Sequence, residues 1–515
     1  MRGIFEGVRV VELAEGIAAR YATMFLADHG ADVVKLEPVG GGGAAGPEAG
    51  DPGLQTVDRN KRSVAVVTAA NRRRIDVAGL AGQAADLVAG ADLVVTDGPG
   101  EAAELRRHAP GAVIVAMPPW GEHGPLVDAP GTPDLVAAVT GMYWNQQSYQ
   151  EVPVHLVVPL VAYGTGVLGA MAAAAGLVAR ERQGAAPTYE VSWVAGSASL
   201  QLEQFRAGDV VEERAGSAPM GSKGRVPVYR LFEASDGKWF FLACGTPRFY
   251  ERMLGAIGRA DLVGDPRLPG PPWGLVDLEA IAFIVPILEE AFATKPRDEW
   301  LAVLAGADVP AQPVLTREEF LTTSVAAAND LDVALQHPHL GEVRMMGLPV
   351  VFEAAPGEVR RHAPLVGEHT EALAAEGARR PGAARGQGGP PLDGIEVLDL
   401  SSFIAGPVVS RHLAMLGASV VKVEPPTGDP FRAFGPPFAC WNHGKRSIVA
   451  DLTTAAGREL LHRLALRADA AVENARPGVA ERLASDADTL RGLNPSLVYL
   501  SSTGYGDDAG MAPAP

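Results

Sequence analysis

Cysteine is nearly missing from the 515-residue chain: Cys244 and Cys440 stand far apart, with no CxxC spacing. That excludes a disulfide framework and a cysteine-based zinc site, and makes the cytoplasm the expected compartment. Basic residues are in deficit, 44 against 61 acidic ones, for a formal net charge of −17. Binding to nucleic acid or to an anionic membrane needs clustered cations, so neither is an expected partner. A small anionic ligand held by a few local basic groups stays compatible with that balance. Histidines are scattered, and only HPH at 337–339 approaches a cluster, so no metal is expected. The start, MRGIFEGVRVVELAEG, has acidic residues where a signal peptide would carry an apolar run.

Charge disappears altogether from Val157 to Ala179, inside VVPLVAYGTGVLGAMAAAAGLVARERQG. The length suits a membrane span, but most of the stretch is Ala and Gly, which gain little from lipid. The expectation is a short loop at 159–163 and then a helix over about 164–181, buried on nearly all sides. Gly164, Gly166 and Gly169 would let neighbouring backbone approach closely. A dinucleotide fingerprint is also missing: no GxGxxG follows the first strand, and GGGGAAG at 40–46 reads as a loop.

What is present is a repeat. Residues 7–38 laid over 394–425, at a constant shift of 387, agree at fourteen of 32 positions. NKRS at 60–63 answers GKRS at 444–447, and PGAVIV at 110–115 answers PSLVYL at 495–500. The chain reads as a tandem duplication. Each copy opens as strand, helix, strand, and short apolar strands alternating with helices predict a parallel sheet covered on both faces. Between 225 and 330 the texture changes. VPVYRLFEASDGKWFFLAC predicts two strands around a turn at 235–237, and three helical segments follow, so a smaller α+β domain is expected there. The expected organisation is a large domain over 1–224, the small domain over 225–330, a return segment over 331–375, a Pro/Gly/Arg linker over 376–391, and the start of a second unit over 392–515.

The motifs GVRVVEL, LADHGADVVKLEP and NKRS in the first copy, and GIEVLDLSSFIAGP, VVKVEPPTGDPFR and VENARPG in the second, resemble the family III CoA-transferases of the CaiB/BaiF type. The resemblance implies an α/β fold, with a Rossmann-like parallel-sheet large domain and an inserted smaller α+β domain, followed here by a partial second copy. It implies CoA transfer from an acyl-CoA to a small free carboxylic acid. An aspartate attacks the thioester, an acyl-aspartyl anhydride forms, and CoA returns to give an aspartyl-CoA thioester. CoA and acyl-CoA are substrates, with no permanently bound cofactor. A homodimer, or an intramolecular pseudo-dimer of the two units, is the implied assembly.

The family's aspartate falls on Ala162 here, and alanine cannot attack a thioester. The first unit is therefore expected to lack a nucleophile, with Asp134 as a weak substitute. The resemblance places CoA contacts at Ile404, Ala405, Gly406, Lys445, Asn474 and Arg482 in the second unit, and at Lys61 in the first. Opposite Asn474 the first unit has Asp97, and opposite Arg482 it has Glu104, a carboxylate that would repel a CoA phosphate. Lys35 and Lys422 end strands and read as solvated or salt-bridged. Two other readings stay open. One is a catalytically inactive acyl-CoA-binding or scaffolding protein. The other is α-methylacyl-CoA racemase-like acid/base chemistry, against which Pro133 stands where a histidine would be needed.

Overall fold

The computed structural model describes residues 3–39, 52–68, 74–145, 153–201, 223–224, 226–275, 277–377, 379, 389–434 and 436–506. The glycine run at 40–46 and most of the linker lie outside them. Two compact units divide the chain. One combines Met1–Thr140, Val158–Phe205 and Asp330–Gly504; the other combines Gly141–Val157, Arg206–Asn329 and Tyr505–Pro515.

The first unit holds two parallel sheets. Strands β1 (Arg9–Glu12), β2 (Asp32–Val39), β3 (Arg62–Val67), β4 (Leu93–Thr96), β5 (Val113–Ala116) and β6 (Thr188–Glu190) are ordered β3-β2-β1-β4-β5-β6. Their Val-rich runs need no polar alternation, because helices cover both faces; β4 and β5 are buried throughout. Past the two strands of the small domain's first hairpin, β7 (Tyr229–Glu233) and β8 (Trp239–Ala243), and its short β9 (Ala311–Pro313), the chain forms the hairpin β10 (Val333–His337) and β11 (Gly341–Met345). The HPH motif is the turn of that hairpin: His337 Nδ1 accepts the His339 and Leu340 N–H groups, each at 3.2 Å. The second sheet follows, with β12 (Glu396–Asp399), β13 (Ser419–Glu424), β14 (Arg446–Val449), β15 (Ala470–Glu473) and β16 (Val498–Ser501) in the order β14-β13-β12-β15-β16.

The two sheets share order and register. Val10 pairs with Val33 and Leu93, and Val397, 387 residues on, pairs with Val420 and Ala470. They differ at one edge: β6 pairs with β5, whereas among the described residues no strand pairs with the outer side of β16, whose Val498 is 64% exposed. The second compact unit has the antiparallel sheet β7-β8-β9 and the helices Pro247–Ala256, Leu278–Phe292 and Arg297–Gly306 around a core of Phe232, Phe240, Phe292 and Trp300. The expected α/β class with an inserted α+β element and a further α/β segment is the fold observed.

The uncharged stretch requires a correction. Its helix begins at Leu160 and runs to Gln183, ending at Gly184 in the left-handed conformation (φ +65°), so residues 160–163 are its first turn and not a loop. It is long and apolar enough to cross a bilayer, and half of its most apolar window is buried inside the fold. Burial is one-sided rather than all-round, since Leu160 and Val167 stay exposed. The buried side is where the small residues matter: a Cβ on Gly166 would lie 2.8 Å from the Ala18 carbonyl oxygen, and one on Gly169 2.6 Å from Met117 Cε. Gly166→Ala gains about 1 kcal/mol of helix propensity and meets fixed backbone, where overpacking costs about 1–3 kcal/mol. The overpacking wins, and the variant is expected to unfold at lower urea concentration than the parent chain, whereas a higher midpoint would show that this helix and the Ile17–Asp28 helix can move apart.

Candidate functional site at the switch points of the two sheets

In each parallel sheet the chain builds outward from the central strand and then crosses back to start on the other side, between β1 and β4 and again between β12 and β15. At such a reversal the loops leaving the carboxyl ends of the two adjacent strands diverge and leave a crevice for a ligand. The residues proposed from sequence as CoA contacts lie on or beside these loops, and the two crevices can be compared position by position.

Below each crevice lies a buried ion cluster of the same plan. In the first segment Glu12, at the end of β1, accepts Lys61 Nζ at 2.8 Å and the Thr23 hydroxyl. Lys61 Nζ gives its other protons to Asp58 Oδ1 (2.9 Å) and the Arg20 carbonyl (3.0 Å). In the second, Asp399 at the end of β12 accepts Lys445 Nζ and the Ser410 hydroxyl, both at 2.8 Å. Lys445 Nζ also donates to Asn442 Oδ1 and the Pro407 carbonyl, each at 2.9 Å. Burial acts to raise the Asp399 carboxyl, and the ammonium groups of Lys422 and Lys445 outweigh it and hold the acid below its ordinary range. Burial also pulls the Lys445 ammonium down, against the opposing attraction of Asp399.

This corrects the assignment of Lys61 and Lys445 as CoA contacts. An ammonium has three donors, and each of these lysines has spent all three inside the protein, with side chains 0% and 2% exposed. Lys35 and Lys422 are salt-bridged but buried rather than solvated: Lys35 reaches Asp58 at 2.7 Å, and Lys422 reaches Asp429 at 2.9 Å.

The loops above the clusters differ. In the second segment Asn474, directly after β15, closes a two-way clamp on one residue: Ser402 N–H donates to its Oδ1, and its Nδ2 donates to the Ser402 carbonyl, both at 2.9 Å. Ile404 and Ala405 are exposed at the start of the Ala405–Met415 helix, while Gly406 is buried where a Cβ would lie 2.2 Å from Ser401 Cβ. Asn474 and the 404–406 loop are thus brought together. Arg482 stands exposed at the end of the Val479–Arg482 helix, which Gly478 opens at φ +81°.

In the first segment Asp97 follows β4, and its Oδ2 accepts two N–H groups, from Glu15 at 3.0 Å and Gly16 at 2.6 Å. Arg74 answers with an ion pair to Asp97 (2.8 Å) and another to Glu101 (3.2 Å). Gly100 opens the next helix at φ +74°, as Gly478 does, which puts Glu104 where the second segment has Arg482. A cavity of about 560 Å³ at this edge is lined by Asp76, Glu101 and Glu104 with Arg74 as its one guanidinium. Such a lining disfavours a pyrophosphate.

Ala162 is fully buried in the first turn of the Leu160–Gln183 helix, a turn without an acidic residue. Asp134 is exposed in the first turn of a different helix, Pro133–Val139, which Thr132 caps by accepting the Leu135 N–H. Sequence reading missed Asp429, whose Oδ1 accepts Phe431 N–H at 2.8 Å and Phe403 N–H at 3.4 Å. The usable signal was GDPFR in the second copy against a glycine run in the first. Glu424 holds this loop in turn, accepting Asp429 N–H at 2.9 Å and pairing with Arg432 at 2.6 Å.

The sequence profile of CoA-transferase family III matches residues 5–370 and 392–515. The CoA-transferase/lyase DddD of a Marinomonas species is 27% identical over 564 residues, covering 96% of this chain and 65% of DddD, so the chain spans about two thirds of that relative's length. The succinate–glutarate CoA-transferase of Agrobacterium fabrum is 44% identical over 132 residues, 23% of this chain and 33% of that one. Among solved structures, a mutant of Rv3272 from Mycobacterium tuberculosis is similar with a TM-score of 0.59 at 25% identity, over 72% of this chain and 98% of that one.

Two measurements check the site as described. Removing a buried cation strands its acids, so Lys61→Met and Lys445→Met are each expected to cost about 3–5 kcal/mol in denaturant unfolding; a lysine that only touched ligand would leave stability within about 0.5 kcal/mol. The hydrogen-bonded Arg432 holds the Glu424 carboxyl at about 2, below its ordinary 4.5, so the stability this pair contributes is complete above the ordinary value and is lost as pH falls toward 2. A carboxyl NMR titration should show that low midpoint, and Arg432→Met should move it up.

The shared sheet order, the paired switch points and the profile match over both segments lead to one conclusion: the chain belongs to CoA-transferase family III.

Proposed function

We propose that this chain takes part in moving CoA between an acyl-CoA and a small carboxylic acid, with its second α/β segment holding CoA and its first serving as a structural partner without a nucleophile. The observation that carries the reading is the contrast at equivalent places in the two switch points: Asn474 and Arg482 in one, Asp97 and Glu104 in the other. A cation beside the second crevice suits the phosphates of CoA, and carboxylates around the first do not. Whole relatives carry names such as CoA-transferase/lyase and succinate–glutarate CoA-transferase. The same transfer is the reading favoured here, with the acyl donor and the acceptor acid as its two substrates.

Covalent transfer through an anhydride needs a carboxylate that can reach the thioester carbon. Ala162 offers none, and its burial closes that place to a substrate. The chain of 515 residues by itself is therefore read as a CoA-binding protein, and turnover depends on a carboxylate from outside the first segment. Among the alternatives, CoA binding without turnover is the one that the buried Ala162 favours; the racemase reading has no comparable support, since Pro133 cannot move a proton.

The test is calorimetric titration of the chain with CoA. One class of site is expected. Reversing the charge at Arg482 trades an attraction for a repulsion of about 1 kcal/mol each at 4 Å in water, about 2 kcal/mol together, so Arg482→Glu should weaken binding by ~30-fold. Glu104→Gln should leave it unchanged. Absence of binding by the parent chain, or indifference to Arg482→Glu, would overturn the reading.

A further inference from the structure

The two loops above the ion clusters have different backbone conformations, and three positions account for it. Phe403 adopts φ +62°, a left-handed conformation that a side chain of this size rarely takes. The equivalent residue in the first segment, Gly16, could take it freely and does not: it is extended, at φ −73° and ψ 143°. The strain therefore falls on the phenylalanine and not on the glycine, so the neighbours and not local propensity decide the conformation.

The first neighbour is the residue after the fourth strand of each sheet order. An amide has both a donor and an acceptor, so Asn474 can hold the Ser402 N–H and the Ser402 carbonyl together. That leaves the Phe403 N–H to turn elsewhere, and Asp429 takes it. A carboxylate has no donor and would repel the Ser402-equivalent carbonyl. Asp97 instead gathers the N–H groups of both Glu15 and Gly16 on one oxygen, which needs the extended backbone at Gly16. The third position is Gly406, packed so closely on Ser401 that a Cβ would lie 2.2 Å from its Cβ. The first segment carries Ala19 there, so it has no access to the second segment's geometry.

We propose that Asn474 is a positioning residue: with Asp429 it holds the Ser402–Phe403 peptide in the left-handed form, and this form is the loop conformation that accepts CoA. Asp97 and Ala19 lock the first segment into the other form, which makes it a non-binding partner by conformation as well as by charge. The proposal rests on the reading that the second segment binds CoA. It assigns Asn474 a role in shaping the loop that presents Ile404 and Ala405, whose exposed surfaces remain for the ligand.

The experiment uses the full chain and Asn474→Asp, a change of nearly equal size that leaves Gly406 in place. A crystal structure of each reads φ at residue 403, and calorimetry reads CoA affinity. The expected result is an extended residue 403 in Asn474→Asp, as at Gly16. If the accepting loop is then populated less than a tenth of the time, CoA affinity falls by about tenfold or more. Adding Phe403→Gly to that variant removes the steric penalty of the left-handed form and should recover a measurable part of the affinity. A positive φ that survives in Asn474→Asp would overturn the proposal. So would an extended loop that binds CoA as tightly as the parent. If the parent chain binds no CoA, the transfer reading fails, and the positioning role is then judged on φ at residue 403 alone.

Discussion

A lysine ammonium buried at the carboxyl end of a central strand is tolerable only if all three of its protons are accepted, and this requirement organises both α/β segments. Lys61 needs Glu12 from β1, Asp58 from the turn before β3, and the Arg20 carbonyl from the first helix. Lys445 needs Asp399, Asn442 and the Pro407 carbonyl from the corresponding three places. An isolated ion at such depth would be several kcal/mol less stable than in water. The partners therefore tie the central strand, the helix after it and the turn before the neighbouring edge strand into one unit. That unit is the floor on which each crevice stands, and its retention in both segments explains why the sheets superimpose in order and register while the loops above them do not.

With the floor held, the chemistry at the crevice is free to change. Asn474 with Arg482, against Asp97 with Glu104, exchanges donors for acceptors and cation for anion without touching a strand. Arg74 shows the compensation such a change requires: its guanidinium neutralises Asp97 and Glu101 at the edge of an otherwise acidic cavity. The glycines of the long small-residue helix keep the close contacts with Ala18 and Met117 that the fold needs, and its first turn has no acidic residue.

The sequence was readable where the information is local or periodic. Val-rich runs between helices announced parallel sheets, the constant shift of 387 announced two related segments, and the swaps at 97 and 104 could be read by alignment of the chain with itself. Legibility failed where partners are distant. Lys61 and Lys445 look like phosphate ligands in NKRS and GKRS, because nothing local shows that Glu12 and Asp399 are waiting some 49 and 46 residues upstream. Residues 160–163 read as a loop after Pro159, yet packing of the helix carries them into its first turn.

By itself, then, the sequence determined the fold class and the pairing of the two segments, because these depend on side-chain identity and on spacing along the chain. Tertiary structure alone decided which lysines are buried, that Asn474 clamps the backbone of Ser402, and that Phe403 is left-handed beside Asn474 and Asp429. The physical reason is the accounting of donors and acceptors: whether a polar group is free for a ligand depends on how many of its hydrogen bonds the fold has already satisfied, and that count is set by residues from several elements brought to one point.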